Sequence, residues 1–163
     1  RHERIAIVTG LRDRVNSERR RDAWERTLRN AGLGPHRELI HYAEETAEGG
    51  YAAAHELLGL DDPPTAIVAR TDLQAIGVLR AAVDLGVAIP DGLATISTEG
   101  SALTASTVPS VSVVAQPVGA LAEGALEAIL ARSHGEPGEV TNLEYAVHGR
   151  ESCGCLPARV HPV

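Results

Sequence analysis

Residues 63–83 read PPTAIVARTDLQAIGVLRAAV, and the fold is decided there. Thr65-Ala66-Ile67-Val68-Ala69 is a short apolar run with β-branched residues at its centre, bounded upstream by Pro63-Pro64, as a buried strand requires. Arg70-Thr71-Asp72 breaks the run. Asp72 carries the short acceptor side chain that an N-cap needs, so a helix is expected from Leu73. Ile76, Leu79 and Val83, spaced three and four apart, are expected to mark its buried face. A buried strand feeding a capped helix through a three-residue turn is half of a βαβ unit. In an open parallel sheet such turns line the ligand crevice, because the strand's carboxyl end and the helix's free N–H groups meet there.

The same alternation extends in both directions. Upstream, Arg4-Ile5-Ala6-Ile7-Val8-Thr9-Gly10 reads as a first strand with the short, continuous apolar centre of a sheet covered on both faces. A helix follows, with Ser17 as its candidate cap. Ala23, Trp24, Leu28 and Ala31 lie on its apolar side, opposite a basic stripe of Arg19, Arg20, Arg21, Arg26 and Arg29, and Gly32 supplies a left-handed end. A second strand is expected over 38–42 and an Ala- and Leu-rich helix over 51–60. Downstream, Gly86 ends the central helix. Strands over 93–97 and 110–115 follow, then a helix from Pro117 to about Arg132, a turn at 135–138 and a last strand over about 140–147. The class is α/β, a Rossmann-like, mainly parallel sheet with helices on both faces.

Composition narrows the function. A chain of 163 residues with 44% hydrophobic and 23% charged residues supports one real core, and no apolar run approaches the roughly 20 residues of a spanning helix. A net charge of −7 argues against this segment gripping nucleic acid by itself. There is no Met, which is read as the mark of a chain excised from something longer, and no Phe, with one Trp and three Tyr. Cys153 and Cys155 fall together near the end, whereas disulfide scaffolds spread their cysteines, so both are expected as reduced bystanders. No metal set, phosphate loop or nucleophile elbow is present, so neither a cofactor nor catalysis is expected.

Several segments resemble the effector-binding half of LacI–GalR family transcription regulators. RIAIVTG with the basic helix and NAGLG resembles the family's entry into its C-terminal sensor subdomain, and PTAIVARTDLQAIGVLRAAVDLGVAIPDGLATIS its most recognisable segment. TVPSVSVVAQPVGALAEGALEAIL and the ending VTNLEYAVHGRESCG complete the likeness. The resemblance implies the second lobe of a periplasmic-binding-protein-like type I sensor. Residues 1–115 would form the C-terminal lobe, 116–134 a helix belonging to the missing N-terminal lobe, and 135–163 the closing strand and tail. It also implies a cytoplasmic regulator, repressor-like and homodimeric, that binds a sugar-like or anionic small molecule. Operator DNA would be bound only through an absent helix-turn-helix, and no membrane is involved. The helices over 46–60 and 72–85 are the candidate self-association surface. The rival is a solute-binding module of an ABC-type uptake system, which shares the two-lobed fold; a third reading is a regulator that has lost its effector and acts through dimers alone.

The site residues follow from register with the family. Arg20 matches an arginine that reaches ligand hydroxyls or carboxylates, a task suited to a planar fork of donors; a solvated basic face is the alternative. Thr71 stands where the family usually has a ligand-contacting Asn, and a hydroxyl cannot grip two groups as an amide can. Asp72 is a cap in preference to a ligand. Arg70 replaces a small residue, and either fills the pocket or offers a second cation to an anionic effector. Glu99 matches a pocket acid, Gln116 keeps the family's crossing-strand amide, and Glu45 lies where the family often has a stacking aromatic. Trp24 is expected in the core. The apolar stripe of the helix after Pro117 needs a partner, so the helix is expected to pack on a second copy or swing onto an edge of its own lobe.

Overall fold

The computed structural model describes residues 2–135 and 142–154. One six-stranded sheet runs in the order β2-β1-β3-β4-β5-β6. Its strands are β1 (Ile5–Thr9), β2 (Ile40–Tyr42), β3 (Ala66–Ala69), β4 (Ala94–Ser97), β5 (Ser112–Ala115) and β6 (Ala146–His148). The first five are parallel, and β6 returns antiparallel to β5. The helices are α1 (Val15–Asn30), α2 (Ala47–Leu58), α3 (Asp72–Asp84) and α4 (Val118–Ser133). The chain steps from β1 outward to β2 through α1, then back across β1 to β3 through α2. Right-handed crossovers therefore place α1 on one face and α2 with α3 on the other.

The two faces are not equally covered. Toward α2 and α3, Ala6, Val8, Ile67, Ala69 and Val113 are fully buried. Toward α1, Ile7 is buried, but Ile5, Val68, Ile96 and Val114 keep partial exposure. The continuous apolar strands thus sit in a sheet whose second face is only half shielded, since α1 alone covers it. Close approach seals the first face. A Cβ on Gly77 would lie 2.0 Å from the Ala47 carbonyl oxygen, and one on Gly50 would lie 2.1 Å from that of Gln74. The two helices cross backbone to backbone, which only glycine permits.

Local signals hold at some termini and shift at others. Gly32 and Gly86 both adopt positive φ just past their helices, and Leu33 N–H returns to the Leu28 carbonyl at 2.9 Å. Ser17 does not cap α1; the cap position is Arg14, and Ser17 is buried inside the first turn. α2 starts at Ala47, earlier than expected, because Thr46 Oγ1 accepts from Gly49 N–H and satisfies the first turn. The second strand is shorter because Arg37–Leu39 form a 3-10 turn. Of the expected turn at 135–138 only Gly135 lies within the described residues, and residues 140 and 141 of the last strand lie outside them.

The buried face of α3 needs correction. Leu79 is buried, but Ile76 is intermediate and Val83 is 70% exposed. The buried arc runs through Gln74, Ala75, Gly77, Val78, Ala81 and Ala82. α3 packs against both the sheet and α2, so it buries a wide arc that takes in small residues as well as Val78 and Leu79, and leaves Ile76 and Val83 at or beyond its margin.

Near the end, Glu151–Cys153 form a 3-10 turn closed by Gly154 in the left-handed region. Cys153 is disulfide-bonded, which corrects the expectation of reduced, bystander cysteines. Scaffolds that spread their cysteines are a poor guide to a sulfur held at so tight a turn. Cys155 lies outside the described residues.

α4 does not swing onto its own lobe. None of its residues is buried, and Val118, Leu121, Leu126, Ile129 and Leu130 are exposed. This divides the apolar side chains into two energetic classes, which denaturant titration separates. Leu57→Ala, on the buried face of α2, is expected to cost about 2 to 5 kcal/mol. Gly77→Ala should cost about 3 kcal/mol, because backbone rather than side chain must yield. Ile129→Ala should leave the unfolding of the lobe unchanged within about 0.5 kcal/mol.

Candidate functional site

The strand order reverses between β1 and β3, since β1 leads to β2 on one side and β3 lies on the other. Loops after such a pair diverge and leave a crevice at the strands' carboxyl ends. A cavity of about 750 Å³ opens there and runs down the half-shielded face of the sheet. Its floor is apolar, with Ile7, Val68, Val114 and one side of Trp24. Polar groups gather at its mouth: Asn16, Arg19 and Arg20 from α1, Arg70 from the end of β3, Thr98 after β4, and Gln116 after β5. An apolar floor beneath a few converging polar groups is the usual form of a small-molecule site.

Each polar group is positioned by local structure. Arg20 donates to the Asn16 carbonyl oxygen at 3.3 Å, one turn earlier. Burial, and then the nearby Arg70, hold its guanidinium below the ordinary arginine value, with Glu45 and Tyr145 acting in the opposite sense. Arg70 is fixed by Glu45, with Nε to Oε1 at 2.8 Å. Room for that carboxylate comes from Gly10 at the end of β1, where a Cβ would lie 2.6 Å from Glu45 Oε1. Gln116 donates from Nε2 to the Thr98 carbonyl oxygen at 3.3 Å, tying the end of β5 to that of β4.

The remaining three candidates are engaged elsewhere. Thr71, not Asp72, is the N-cap of α3: its hydroxyl accepts from Gln74 N–H at 3.1 Å, and Gln74 Oε1 accepts from Thr71 N–H at 3.3 Å. This corrects the assignment of the cap to Asp72. The Asp72 carboxylate accepts instead from the Ser97 hydroxyl, from Gly100 N–H at 3.1 Å and from Ser101 N–H at 2.6 Å. Glu99 Oε2 accepts from Asp72 N–H at 3.0 Å, at the start of α3 where the helix dipole favours an anion. Arg20, Arg70 and Gln116 therefore share one cavity with Glu45 beside them, while Thr71, Asp72 and Glu99 shape the turn next to it.

Sequence reasoning passes over Asn16, Thr98, Tyr145 and, above all, Gln74. Thr71-Asp72-Leu73-Gln74 has the spacing of a capping box, so Gln74 was readable. Tyr145 lines the cavity from the chain just before β6, and only tertiary structure brings it there. Trp24 is buried as expected, its Nε1 without a hydrogen-bond partner. Among the described residues no group of three or more His, Cys, Asp or Glu could hold a metal ion, and no helix is long and apolar enough to cross a membrane.

Sheet, crevice and antiparallel return strand define one lobe of a periplasmic-binding-protein-like sensor. Residues 1–153 match the periplasmic binding protein-like domain family, and the chain belongs to that family as part of a LacI-type effector-binding domain. It is 34% identical over 140 residues to the HTH-type transcriptional regulator MalR of Streptomyces coelicolor, covering 83% of this chain and 40% of that one. Among solved structures, the complex of the transcriptional regulator CelR with cellobiose superposes with a TM-score of 0.85 at 28% identity, over 93% of this chain and 47% of that one. A sugar-binding LacI-family regulator from Escherichia coli, complexed with phosphate, gives 0.80 at 27% identity over 93% and 55%. The chain thus spans roughly half the length of these relatives or less. All three are transcriptional regulators.

Asp72 generates a test of the turn. Burial works to raise its pKa, but donation from Ser101, Ser97 and Gly100 outweighs burial and holds it below the ordinary aspartate value. A carboxyl depressed in the folded state stabilises it above the unfolded pKa of about 3.9, and that contribution is lost as pH falls through the folded value. Asp72→Asn is expected to cost about 1 to 3 kcal/mol at neutral pH. It should also flatten the loss of stability below about pH 4 in acid denaturation followed by circular dichroism.

Proposed function

We propose that this chain is the ligand-sensing part of a LacI-type transcription regulator. A small-molecule effector, a sugar or related metabolite, binds the crevice at the carboxyl ends of β1 and β3 and alters operator binding by a helix-turn-helix domain. The observation that carries this is the convergence of Arg20, Arg70 and Gln116 on one cavity at the topological switch point. The cellobiose complex of a structural neighbour supports the same use of the lobe. An uptake-system module has no support from the relatives, which are regulators. The intact regulator acts in the cytoplasm, with residues 1–115 as its second lobe and 116–134 serving the first.

Calorimetric titration of the full-length regulator with a broad metabolite panel tests this. Saturable binding is expected, weakened about ten- to a hundredfold by Arg20→Ala, as for loss of a hydrogen bond from a charged donor. Binding untouched by Arg20→Ala, or no binding at all, overturns the reading.

Self-association to a homodimer belongs to the same proposal. The outer side of α3 and its C-terminal cap expose Leu73, Val83 and Leu85, while the inner sides of α2 and α3 are used against each other. Val83→Glu is expected to shift the full-length protein toward monomer in light scattering.

A further inference from the structure

Resting on that effector-binding reading, the charges at the cavity mouth narrow the ligand class. Three guanidiniums line the cavity, Arg19 and Arg20 from α1 and Arg70 from the end of β3; Arg19 is exposed, while Arg20 and Arg70 are a partly buried pair from different elements. A like-charged pair in partial shelter is costly unless an anion lies between or beside it. The chain supplies one: Glu45, from the loop between β2 and α2, bonded to Arg70 Nε at 2.8 Å and seated over the bare backbone of Gly10. Arg20 forms no ion pair among the described residues, and its described hydrogen bond goes to a backbone carbonyl. Of the nearby acids, Glu99 is engaged at the start of α3, and Glu44 is an exposed neighbour lining the smaller hollow beside Arg70. The mouth therefore holds two partly buried cations, with the exposed Arg19 as a third, against one resident carboxylate, in a chain whose net charge is −7.

The resident carboxylate is built to leave. The backbone on either side of it is pinned, with Gln74 Nε2 donating to the Glu44 carbonyl oxygen at 3.0 Å and Thr46 capping α2. The Glu45 side chain itself is 46% exposed, so it can swing into solvent while the loop stays in place. The vacated position then presents Arg70 and Arg20 to one bound anion, and a planar guanidinium matches carboxylate and phosphate oxygens two at a time. A neutral sugar would leave this second cation unused.

We propose that the effector carries a carboxylate or phosphate group that bridges Arg20 and Arg70, and that Glu45 is the placeholder it displaces. The less polar remainder of the ligand lies over Val68, Val114 and Trp24.

Calorimetry on the full-length protein, at fixed ionic strength, tests this with matched neutral and acidic compounds: glucose against glucuronate and glucose 6-phosphate, and adenosine against its 5′-monophosphate. In whichever scaffold binds, the acidic member is expected to be at least about tenfold tighter. The ranking of glucuronate and glucose 6-phosphate tells a carboxylate from a phosphate. Arg70→Ser should erase the acidic preference, and Glu45→Gln should tighten acid binding severalfold by removing the competitor. A neutral compound binding as tightly as its acidic partner, or acid binding indifferent to Arg70→Ser, overturns this inference and leaves the effector-binding reading standing. Absence of binding by every neutral and acidic compound, here and in the broader panel, overturns both.

Discussion

The side-chain amide of Gln74 is the contact on which the site depends. It is fully buried on the first turn of α3. Its oxygen closes the capping box with Thr71, while its nitrogen faces the carbonyls of Glu44 at 3.0 Å, Thr9 at 3.4 Å and Ala43 at 3.5 Å. One side chain thus joins the carboxyl ends of β1, β2 and β3. Asp72 extends the join to the loop after β4, through Ser97, Gly100 and Ser101. Loops at the carboxyl edge of a parallel sheet carry many polar backbone groups with no ladder to satisfy them. Here two adjacent turns of hydrogen bonding, both rooted in residues 71–74, satisfy enough of them to hold the crevice open in a fixed shape.

That arrangement explains what the sequence discloses and what it withholds. Strands, helices and the position of the crevice are legible because they rest on local signals: apolar runs such as Ala66–Ala69, and glycines such as Gly32 and Gly86 that end helices. Cap assignment fails at Asp72 because propensity ranks it with any other short acceptor, while its real partners lie 25 to 29 residues away. Ile76, Leu79 and Val83 mislead for a related reason. A helix packed against both a sheet and a second helix buries a wide arc, Gly77 and Ala81 as fully as Val78, and the three- and four-residue spacing of large apolar residues does not register that arc. At the site, Arg20, Arg70 and Gln116 are found through register with a known family, whereas Tyr145 enters the same cavity from a segment more than 70 residues beyond Arg70.

Coupling from the crevice to the rest of the lobe has a short physical path. Glu45 immediately precedes Thr46, the cap of α2. α2 lies on α3 with no side chain between their backbones at Gly50 and Gly77, a contact that transmits displacement because it cannot be compressed. α3 in turn carries the Thr71–Gln74 box back to the crevice. The two helices and the loop therefore form a closed mechanical circuit around the Arg70–Glu45 pair, and the outer side of that circuit is the surface proposed to meet a second subunit.

The end of the chain shows why α4 can stand apart without loosening this circuit. After β5 the chain leaves the sheet for α4 and returns as β6, and the return is fastened more heavily than a three-residue strand requires. Ser152 Oγ accepts from Ser112 N–H at 2.8 Å and donates to the Thr95 carbonyl oxygen at 2.7 Å. Arg150 reaches the Val111 carbonyl oxygen at 2.6 Å and the Thr104 hydroxyl at 2.8 Å, and Glu151 accepts from both the amide and the hydroxyl of Ser110. These bonds close the edge of the sheet using residues 150–152 alone. Both ends of the α4 excursion are thereby anchored to β5, so the lobe completes itself whether or not the helix finds a surface.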